Sequence, residues 1–537
     1  MIQIIGKKDY YLLNVYHLVK AFFPNDEIKQ QVCSEQEAHL YFMQNGNSCF
    51  SIMIPESELK KGPTASKQFL LLKIYDALVA FTGKSLAWGI LTGVRPTKIV
   101  TKALEAGENE AEIVRNLKQG YCISPQRANL ALQVAKREQK VLSSVDWKNG
   151  FSLYVNIPFC PSICAYCSFG TGEIGRWEHQ IDAYITVLEK ELRFIREKVD
   201  KEASEKALHT IYIGGGTPTT LTYIQLTRVM QAIERTFSMD ALLEYTVEAG
   251  RPDSITEEKL KVIRAFPVTR ISINPQTMQQ KTLDLIGRKH STLAVSEAFD
   301  LARKWGFDNI NMDLIIGLPG ETLQDVADTL QQIKVFAPES LTVHPLAIKR
   351  GTQFRQERQV DHQGKCLANL LPHQNKHSDN HLPHQRKYHV NSLSQQSPRF
   401  SKAFEDNGCN LSGHHRKFFG TKEHVDGENV SGEYCKLIED DEVEEMAKVC
   451  FEVAREMDLS PYYLYRQKDI AGNLENIGYA KAGREGIYNI LMMEEKQTIY
   501  ATGAGAVTKI VGADGSIKRI ENAKNIEIYI ERMGGLC

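Results

Sequence analysis

The strongest constraint on the fold of this 537-residue chain is an alternation of short apolar segments with longer amphipathic ones that begins at residue 151. Six segments rich in β-branched residues predict strands at 152–157, 210–213, 245–248, 269–274, 309–315 and 340–343. Helical spacing of apolar residues predicts connecting helices at 179–199, 224–236, 257–266, 292–305 and 323–336. Six β/α units indicate an α/β fold with a parallel sheet, either doubly wound or a partial barrel.

The length of the chain predicts several domains around this core, at about 150 residues for each, although an α/β barrel can take up more. We expect an α/β N-terminal domain of open role at 1–150, a barrel at 151–355 and a small α+β C-terminal region at 435–537 that completes the active site. Between them, 356–434 is rich in His, Gln, Asn and Ser and holds nine of the fifteen histidines. This insert is predicted to be disordered because it cannot bury enough apolar surface to offset its ordering entropy.

Composition and charge exclude several classes of partner. The net charge is −1, from 65 basic and 66 acidic residues, which argues against a nucleic-acid or anionic-membrane binder. No uncharged apolar run reaches the ~18 residues that span a membrane. The N-terminus places its charges after a very short apolar start, the wrong order for a secretory signal. We therefore expect a cytoplasmic protein.

Three of the eleven cysteines are clustered just after the first predicted strand, as Cys160-x3-Cys164-x2-Cys167. In a reducing compartment such a cluster more often binds metal or does redox chemistry than forms disulfides. Three thiolates on a short loop can hold three irons of a [4Fe–4S] cluster, which leaves the fourth iron for a small chelating molecule. The alternative is a structural zinc site that adds His179, although zinc sites usually have paired cysteine arms and are closed.

Further candidate residues follow the next strands at the edge where barrels place their chemistry. They are the glycine strip 214–217, Glu248, and residues 274–276. The strip would let a ligand reach backbone N–H and C=O groups able to hold an amino acid's ammonium and carboxylate, although a tight turn also explains it. No Gly-Lys-Ser/Thr follows, so it is not a phosphate loop. A strand-end carboxylate such as Glu248 is costly unless it is partnered, and an ordinary ion pair is its alternative explanation.

The C-x3-C-x2-C loop after the first strand of a β/α array resembles the signature of radical S-adenosylmethionine (SAM) enzymes. Within that superfamily the chain resembles the oxygen-independent coproporphyrinogen III oxidases over 153–349 and 437–510. Its N-terminal part, including WGILTGVRPTKI at 88–99, resembles the anaerobic coproporphyrinogen dehydrogenase branch. The insert at 356–434 has no counterpart in this resemblance. The resemblance implies a partial (β/α)6 TIM-type barrel, a [4Fe–4S] cluster on Cys160, Cys164 and Cys167, and two molecules of SAM.

The resemblance also implies roles for individual residues. The implied cofactor-binding residues are Tyr154, Tyr166, Gly215, Gly216, Thr217, Glu248, Gln276, Arg288, Asp313, Ala347 and Val507. Three of these, Arg288, Glu248 and Tyr154, are implied to be catalytic. Each of these roles has a structural alternative. In those alternatives Gln276 is a turn residue, Arg288 is a solvated surface residue and Asp313 is the partner of a helix N-cap. Tyr154 and Tyr166 are then ordinary buried core residues. Family members more often have Gly-Val-Gln where this chain has Asn-Pro-Gln at 274–276, so the local backbone is expected to differ.

The implied reaction is the oxidative decarboxylation of coproporphyrinogen III to protoporphyrinogen IX. A 5′-deoxyadenosyl radical from SAM takes hydrogen from two propionates, which lose carbon dioxide, and an unidentified donor supplies the electron. The substrate's carboxylates need cationic partners, for which Arg288, Lys289, Arg466 and Lys468 are candidates.

Two other functions are weighed against this reaction. A heme chaperone of the same superfamily is the first alternative, but its His-Asn-x-x-Tyr-Trp motif is replaced here by the stretch from Glu475 to Ala480, which lacks both the histidine and the tryptophan. A zinc-stabilised binding module is the second.

Overall fold

The computed structural model describes residues 1–24, 26–35, 39–93, 95–170, 172–349, 352–354, 438–467 and 470–534. The insert predicted to be disordered at 356–434 lies outside these residues, and so does Lys468. Within the described residues, no helix is both long enough and apolar enough to span a membrane.

The described secondary structure alternates strands and helices along most of the chain. The strands are β1 (Ile2–Gly6), β2 (Ile28–Val32), β3 (Leu40–Gln44), β4 (Asn47–Ile52), β5 (Gly150–Ile157), β6 (Phe159–Cys160), β7 (Gly172–Glu173), β8 (Ala207–Gly215), β9 (Glu244–Gly250), β10 (Arg270–Ile273), β11 (Ile310–Ile316), β12 (Ser340–Pro345), β13 (Ser460–Tyr465), β14 (Asn476–Ala480), β15 (Thr498–Thr502), β16 (Val507–Val511) and β17 (Ile517–Glu521). The helices are α1 (Asp9–Phe22), α2 (Glu56–Lys60), α3 (Pro63–Thr82), α4 (Thr97–Glu105), α5 (Glu110–Tyr121), α6 (Pro125–Leu142), α7 (Ile181–Glu202), α8 (Tyr223–Thr236), α9 (Glu257–Arg264), α10 (Gln280–Leu285), α11 (Thr292–Lys304), α12 (Leu323–Phe336), α13 (Asp440–Glu456), α14 (Ile487–Glu494) and α15 (Ile526–Gly534).

The six predicted strands are β5 and β8 to β12, and they lie side by side in the order β12-β11-β10-β9-β8-β5. Each pairs in parallel with its neighbour. Because the spatial order follows the chain order, successive crossovers step in one direction, and right-handed crossovers then place their helices on one face of the sheet. This order is that of a barrel and not of a doubly wound sheet. The predicted α/β class and partial (β/α)6 barrel are confirmed.

C-terminal strands extend this sheet at both ends, which the sequence did not predict. β15 pairs in parallel with β5, so that Thr502 lies opposite Val155. At the other end β14 pairs antiparallel with β12, and β13 follows it. The amino end of β14 therefore lies beside the carboxyl end of β12, at the edge that carries the candidate site.

The N-terminal residues contribute to two different hydrophobic cores. β1 to β4 form a separate sheet in the order β2-β1-β3-β4, which packs with α1 and α3 around residues such as Ile4, Phe42 and Ile74. By contrast, α4, α5 and α6 pack into the core of the barrel through residues such as Val100 and Val134. The division between the cores falls near residue 90, well before the predicted domain boundary at 150.

Local sequence fixes the starts of several barrel helices. Before α8, the Thr222 hydroxyl accepts from the Gln225 N–H (3.2 Å), and the Gln225 side chain accepts from the Thr222 N–H (3.1 Å). The same reciprocal cap joins Thr322 and Asp325 at the start of α12. Such capping boxes satisfy N–H groups that a helix leaves unpaired in its first turn. These caps explain why the predicted and observed starts of both helices agree within one residue.

Candidate active site

The three clustered cysteines lie in the loop that follows β5. Cys160 ends the short strand β6, and the Cys167 N–H donates to the Cys164 carbonyl (3.0 Å), which closes a tight turn. All three side chains are half-buried, and no disulfide bond joins them. Burial raises the pKa of the Cys160 thiol to about 11. Without metal this residue is therefore a thiol, and metal binding must displace its proton.

The geometry of the described residues argues against a single zinc ion. Across this part of the chain, no three His, Cys, Asp or Glu side chains are arranged to hold one metal ion. His179, the fourth ligand of the zinc alternative, is exposed in the turn before α7. In a [4Fe–4S] cluster each cysteine binds a different iron, so its three sulfurs need not converge on one atom. The donor set fits the cluster better than it fits zinc.

Neighbouring loops hold the cysteine loop against the carboxyl ends of the strands. The Ala165 N–H donates to the Ile286 carbonyl (3.0 Å), and the Ser162 hydroxyl donates to the Gly287 carbonyl (3.2 Å). On the other side, the Cys160 sulfur lies 3.6 Å from the Thr217 hydroxyl. The loop is thus fastened both to the segment before Arg288 and to the glycine strip.

The glycine strip at the end of β8 requires glycine at two positions. Gly215 has a φ of +106°, and a Cβ there would lie 1.7 Å from the Asn156 side-chain oxygen. A Cβ on Gly216 would lie 2.5 Å from the Phe159 carbonyl oxygen. The N–H groups of Gly216 and Thr217 donate to the backbone carbonyls of Ile157 and Phe159. These two N–H groups are therefore occupied, whereas the strip can offer a ligand carbonyl oxygens that accept from an ammonium.

Glu248 lies next to this strip, near the end of β9. The Tyr212 hydroxyl donates to its carboxylate, and a Cβ on Gly214 would lie 2.8 Å from the same carboxylate. Burial raises the pKa of Glu248 to about 7, and the negative charge of Asp313 contributes in the same direction. A carboxyl group that titrates near neutrality in a buried site is typical of a functional position.

The predicted tyrosine Tyr154 belongs to an aromatic stack inside the barrel. The ring of Tyr212 lies 6.1 Å from that of Tyr154 and 4.7 Å from that of Tyr488, which enters from α14. The Tyr154 hydroxyl donates to the Asn156 side chain (3.2 Å). These rings fill the barrel beneath Glu248.

Arg288 is buried rather than solvated, which removes the surface alternative. Its guanidinium donates to the Tyr166 hydroxyl (3.0 Å) and to the carbonyls of Gly250 (3.3 Å) and Asn274 (2.8 Å). Its Nε atom has no hydrogen-bond partner among the described residues. The contact with Tyr166 joins two predicted site residues directly and ties both to the cysteine loop.

Gln276 and Asp313 lie on the next two strands of the same edge. Gln276 has a φ of +68°, its N–H donates to the Asp313 carbonyl (3.0 Å), and its buried Oε1 has no partner in the described structure. The Asn311 amide donates to the Asp313 carboxylate (2.7 Å). Asp313 therefore has a partner from its own strand and is not the N-cap of a helix. The unpartnered atoms of Gln276 and Arg288 leave donor and acceptor capacity for a ligand.

The two remaining predicted residues lie at the margins of this edge. Ala347 follows β12 and forms an isolated antiparallel bridge with Ile470. Val507 begins β16 in the hairpin beyond β15, with 38% of its surface exposed. Neither position makes a contact that specifies a role.

Several residues of the site were not predicted from the sequence. Tyr212 could have been found, because it lies two residues before Gly214 and so on the same face of β8. Arg251 also follows a strand that ends at this edge, and its guanidinium contacts the Cys164 sulfur (3.7 Å). Asn156 joins the glycine-rich loop at 503–506 through the Ala504 carbonyl, a contact that only tertiary structure brings about.

The side chains of Glu475 and Arg466, which were discussed as functional candidates, make contacts within the protein. Glu475 is buried and accepts from the Trp88 indole (2.6 Å), and it pairs with Arg127 (2.9 Å). Arg466 is also buried, and it donates to the carbonyls of Leu91 and Asn473. Two of its nitrogens thus join the C-terminal region to Leu91 of the N-terminal part and to Asn473, while its buried Nε has no partner among the described residues. Lys289 is exposed.

Comparisons with known proteins agree with the fold and the cysteine loop. A family model described as the Radical SAM superfamily matches residues 154–333. The chain is 35% identical over 486 residues to the oxygen-independent coproporphyrinogen-III oxidase-like protein HemZ of Bacillus subtilis, covering 90% of this chain and 81% of that protein. It is 37% identical over 204 residues to the heme chaperone HemW of the same organism, covering 38% of this chain and 52% of the chaperone. A solved structure of coproporphyrinogen III oxidase (HemN) from Escherichia coli, 18% identical, aligns with a TM-score of 0.47 over 74% of this chain and 73% of that chain.

These features define a radical SAM protein. More specifically, the chain belongs to the radical SAM coproporphyrinogen oxidase family, as its long alignment with HemZ shows. The family implies a [4Fe–4S] cluster and a SAM site. The cysteine loop and the unpartnered atoms of Gln276 and Arg288 fit that implication.

Proposed function

We propose that this protein catalyses the oxidative decarboxylation of coproporphyrinogen III to protoporphyrinogen IX. The observation that carries the proposal is the set of contacts that joins the cysteine loop to the buried carboxyl and guanidinium groups. Cys160 lies against Thr217 of the glycine strip, a Cβ on Gly214 of that strip would lie 2.8 Å from the Glu248 carboxylate, and Arg288 donates to Tyr166. A cluster, a cofactor and a substrate carboxylate could therefore meet within one edge of the barrel. The HemZ relative carries a name that points to the same substrate.

In this proposal, residues at the carboxyl ends of the strands bind different parts of the cluster and of SAM. Cys160, Cys164 and Cys167 hold three irons, and the carbonyls of the glycine strip accept from the methionine ammonium of SAM. Asp313 binds the ribose, and Gln276 offers its unpartnered Oε1. SAM bound there and reduced by one electron would supply a 5′-deoxyadenosyl radical able to take a hydrogen atom from a propionate side chain. The resulting substrate radical would lose carbon dioxide and pass one electron to a one-electron acceptor, which leaves a vinyl group.

Three residues are proposed to act on the reaction itself. Glu248 balances the positive charges of the bound cofactor, and its raised pKa makes its charge sensitive to what binds beside it. Arg288 keeps a free Nε for a carboxylate, which a rigid guanidinium can orient. The ring of Tyr154 forms part of the apolar floor that excludes water. A second molecule of SAM in the same site would serve the second propionate, and Lys289 is an exposed cation available to the remaining carboxylates.

A heme chaperone is the second candidate function, because HemW is 37% identical to this chain over 204 residues. Glu475 counts against it. This residue stands where the chaperone motif has a histidine, and its carboxylate is occupied by Trp88 and Arg127. A buried, paired carboxylate cannot replace an imidazole as a heme ligand. The two functions therefore predict different products from the same protein.

The test is an anaerobic assay with coproporphyrinogen III, SAM and a strong one-electron reductant. The proposal predicts protoporphyrinogen, detected by its fluorescence after oxidation to protoporphyrin. The Cys164→Ala variant should form none, whereas the Cys33→Ala variant, changed far from the loop in the N-terminal sheet domain, should match the native protein. Tight stoichiometric heme binding without any protoporphyrinogen would favour the chaperone.

A further inference from the structure

Arg251 is a buried cation that contacts the cysteine loop directly. It follows the end of β9, and only 3% of its surface is exposed. Its NH1 atom lies 3.7 Å from the Cys164 sulfur, 3.2 Å from the Ser162 hydroxyl and 3.4 Å from the Ser162 carbonyl oxygen. A guanidinium in this position places its charge against one of the proposed cluster ligands.

A carboxylate fixes the direction of this guanidinium. Asp253 accepts from Nε (2.9 Å) and from NH2 (2.7 Å), which is a bidentate pair. The arginine side chain of the pair is 4% exposed and the aspartate side chain is 23% exposed. Asp253 therefore binds the Nε and NH2 atoms on the more exposed side of the guanidinium, and NH1 points toward the Cys164 sulfur. The geometry is that of an oriented donor, since a bidentate pair restricts rotation of the group.

We propose that Arg251 raises the reduction potential of the cluster by stabilising its reduced state. Reduction adds one electron to a cluster already bound by three thiolates, so the negative charge near Cys164 increases. A neighbouring cation, and an N–H group that donates to a ligand sulfur, favour the more negative state. The electron in the test comes from dithionite, and no bond is formed or broken in this step. The proposal rests on the cluster part of the proposed function and not on the porphyrinogen reaction.

The same contacts could serve only to hold the loop, and the pair with Asp253 separates the two roles. Arg251→Gln removes the positive charge but keeps a side chain that can donate a hydrogen bond. Asp253→Asn keeps the positive charge and removes the carboxylate that partly cancels it. An electrostatic role predicts potentials that move in opposite directions in the two variants. A purely structural role predicts that both variants loosen the loop in the same way.

The experiment is a redox titration of the anaerobic holoenzyme without substrate or SAM, with the reduced cluster followed by electron paramagnetic resonance. At a fixed potential, Arg251→Gln should lower the ratio of reduced to oxidised cluster about tenfold, a shift of about 59 mV for one electron. Asp253→Asn should raise that ratio. Arg251→Lys should lie between the native protein and Arg251→Gln. Arg228→Gln is the matched control, because Arg228 forms a bidentate pair with Glu189 away from the cysteine loop, and it should leave the ratio unchanged.

Each result decides the proposal. An unchanged potential in Arg251→Gln with full iron content overturns it, and so do shifts of the same sign in Arg251→Gln and Asp253→Asn. If Arg251→Gln loses iron, the other two variants decide. The proposal is then supported if both retain iron, with a lowered reduction potential in Arg251→Lys and a raised one in Asp253→Asn. Loss of iron from Arg251→Lys as well shows a structural role and overturns it. Because no porphyrinogen is present, these results stay separate from failure of the decarboxylation.

Discussion

The two ends of strand β9 carry glutamates in opposite surroundings, Glu244 buried at the amino end and Glu248 half-buried near the carboxyl end. At the amino end, burial raises the pKa of Glu244, and the positive charge of Arg270 with hydrogen bonds from Thr246 and the start of α14 oppose that rise. At the carboxyl end, Glu248 faces a second carboxylate, Asp313, and its pKa is raised to about 7. At the amino end, the charge and the hydrogen bonds of Glu244 are thus satisfied by groups of the protein itself. At the carboxyl end the Tyr212 hydroxyl donates to Glu248, and the charge of Arg270 opposes the rise in its pKa less strongly than that hydrogen bond does. We therefore expect a positively charged ligand to bind at the carboxyl end.

The largest effect should follow removal of the cluster ligands at the carboxyl end. The triple replacement of Cys160, Cys164 and Cys167 by Ala should abolish nearly all of the bound iron, expected at about four atoms per chain. The protein should stay folded, because these half-buried side chains are not part of the main core. Iron and sulfide analysis of the anaerobic protein measures the loss. A triple variant with full iron content would remove the basis of the cluster assignment.

The pair Glu248→Gln and Glu244→Gln tests the comparison itself. Glu248→Gln should lower turnover by about 10²–10³-fold, because it removes a charge that acts on the bound cofactor, with little loss of stability. Glu244→Gln should instead destabilise the fold by about 2 kcal/mol, since the buried carboxylate accepts from the Thr246 hydroxyl and the Ile487 N–H and its charge acts on buried Arg270. Turnover and denaturant unfolding of both variants provide the measurement. Equal effects of the two changes on stability and turnover would show that the ends do not differ.

Part of the difference between the two ends of β9 could be predicted from the sequence. The β/α rhythm predicts a parallel sheet but leaves its strand order open between a doubly wound sheet and a barrel, and a strand-end glutamate is visible in it. Local signals also placed α8 and α12 within one residue of their observed bounds, because Thr222 and Thr322 mark where each helix starts. What the sequence could not show are contacts between distant residues, such as Trp88 with Glu475, which are 387 positions apart. The stack of Tyr212 on Tyr488 and the place of β15 beside β5 depend on the same kind of tertiary packing.

A smaller effect is expected from Arg288→Lys at the carboxyl end. Lysine keeps the charge but cannot reproduce the contacts that the guanidinium makes with Tyr166, Gly250 and Asn274. Turnover should fall by about 10²-fold through misplacement of the reacting groups, while the iron content stays at the native level. Steady-state kinetics and iron analysis of the same preparation check both statements. A native rate in this variant would show that only the charge of Arg288 matters.

The pH dependence of stability separates the carboxyl end from the rest of the protein. The pKa of Glu248 is raised from 4.5 to about 7 in the folded state, so its contribution to stability is fully present below about pH 4.5. That contribution is lost as the pH rises through about 7, and it amounts to as much as about 3 kcal/mol. Thermal unfolding of the metal-free native protein and of Glu248→Gln should therefore differ in slope between these pH values. Because Glu321 has a pKa raised to about 7 as well, only the difference between the two proteins reports on Glu248. Parallel curves would contradict the assignment.

The most direct test of the central claim counts the products of the reaction at the carboxyl end. The anaerobic, reduced holoenzyme is given coproporphyrinogen III and SAM, and carbon dioxide and 5′-deoxyadenosine are measured against the substrate consumed. Because two propionates are converted, the account predicts two molecules of each product for every coproporphyrinogen lost. Stoichiometric binding of heme together with no carbon dioxide from coproporphyrinogen would contradict it.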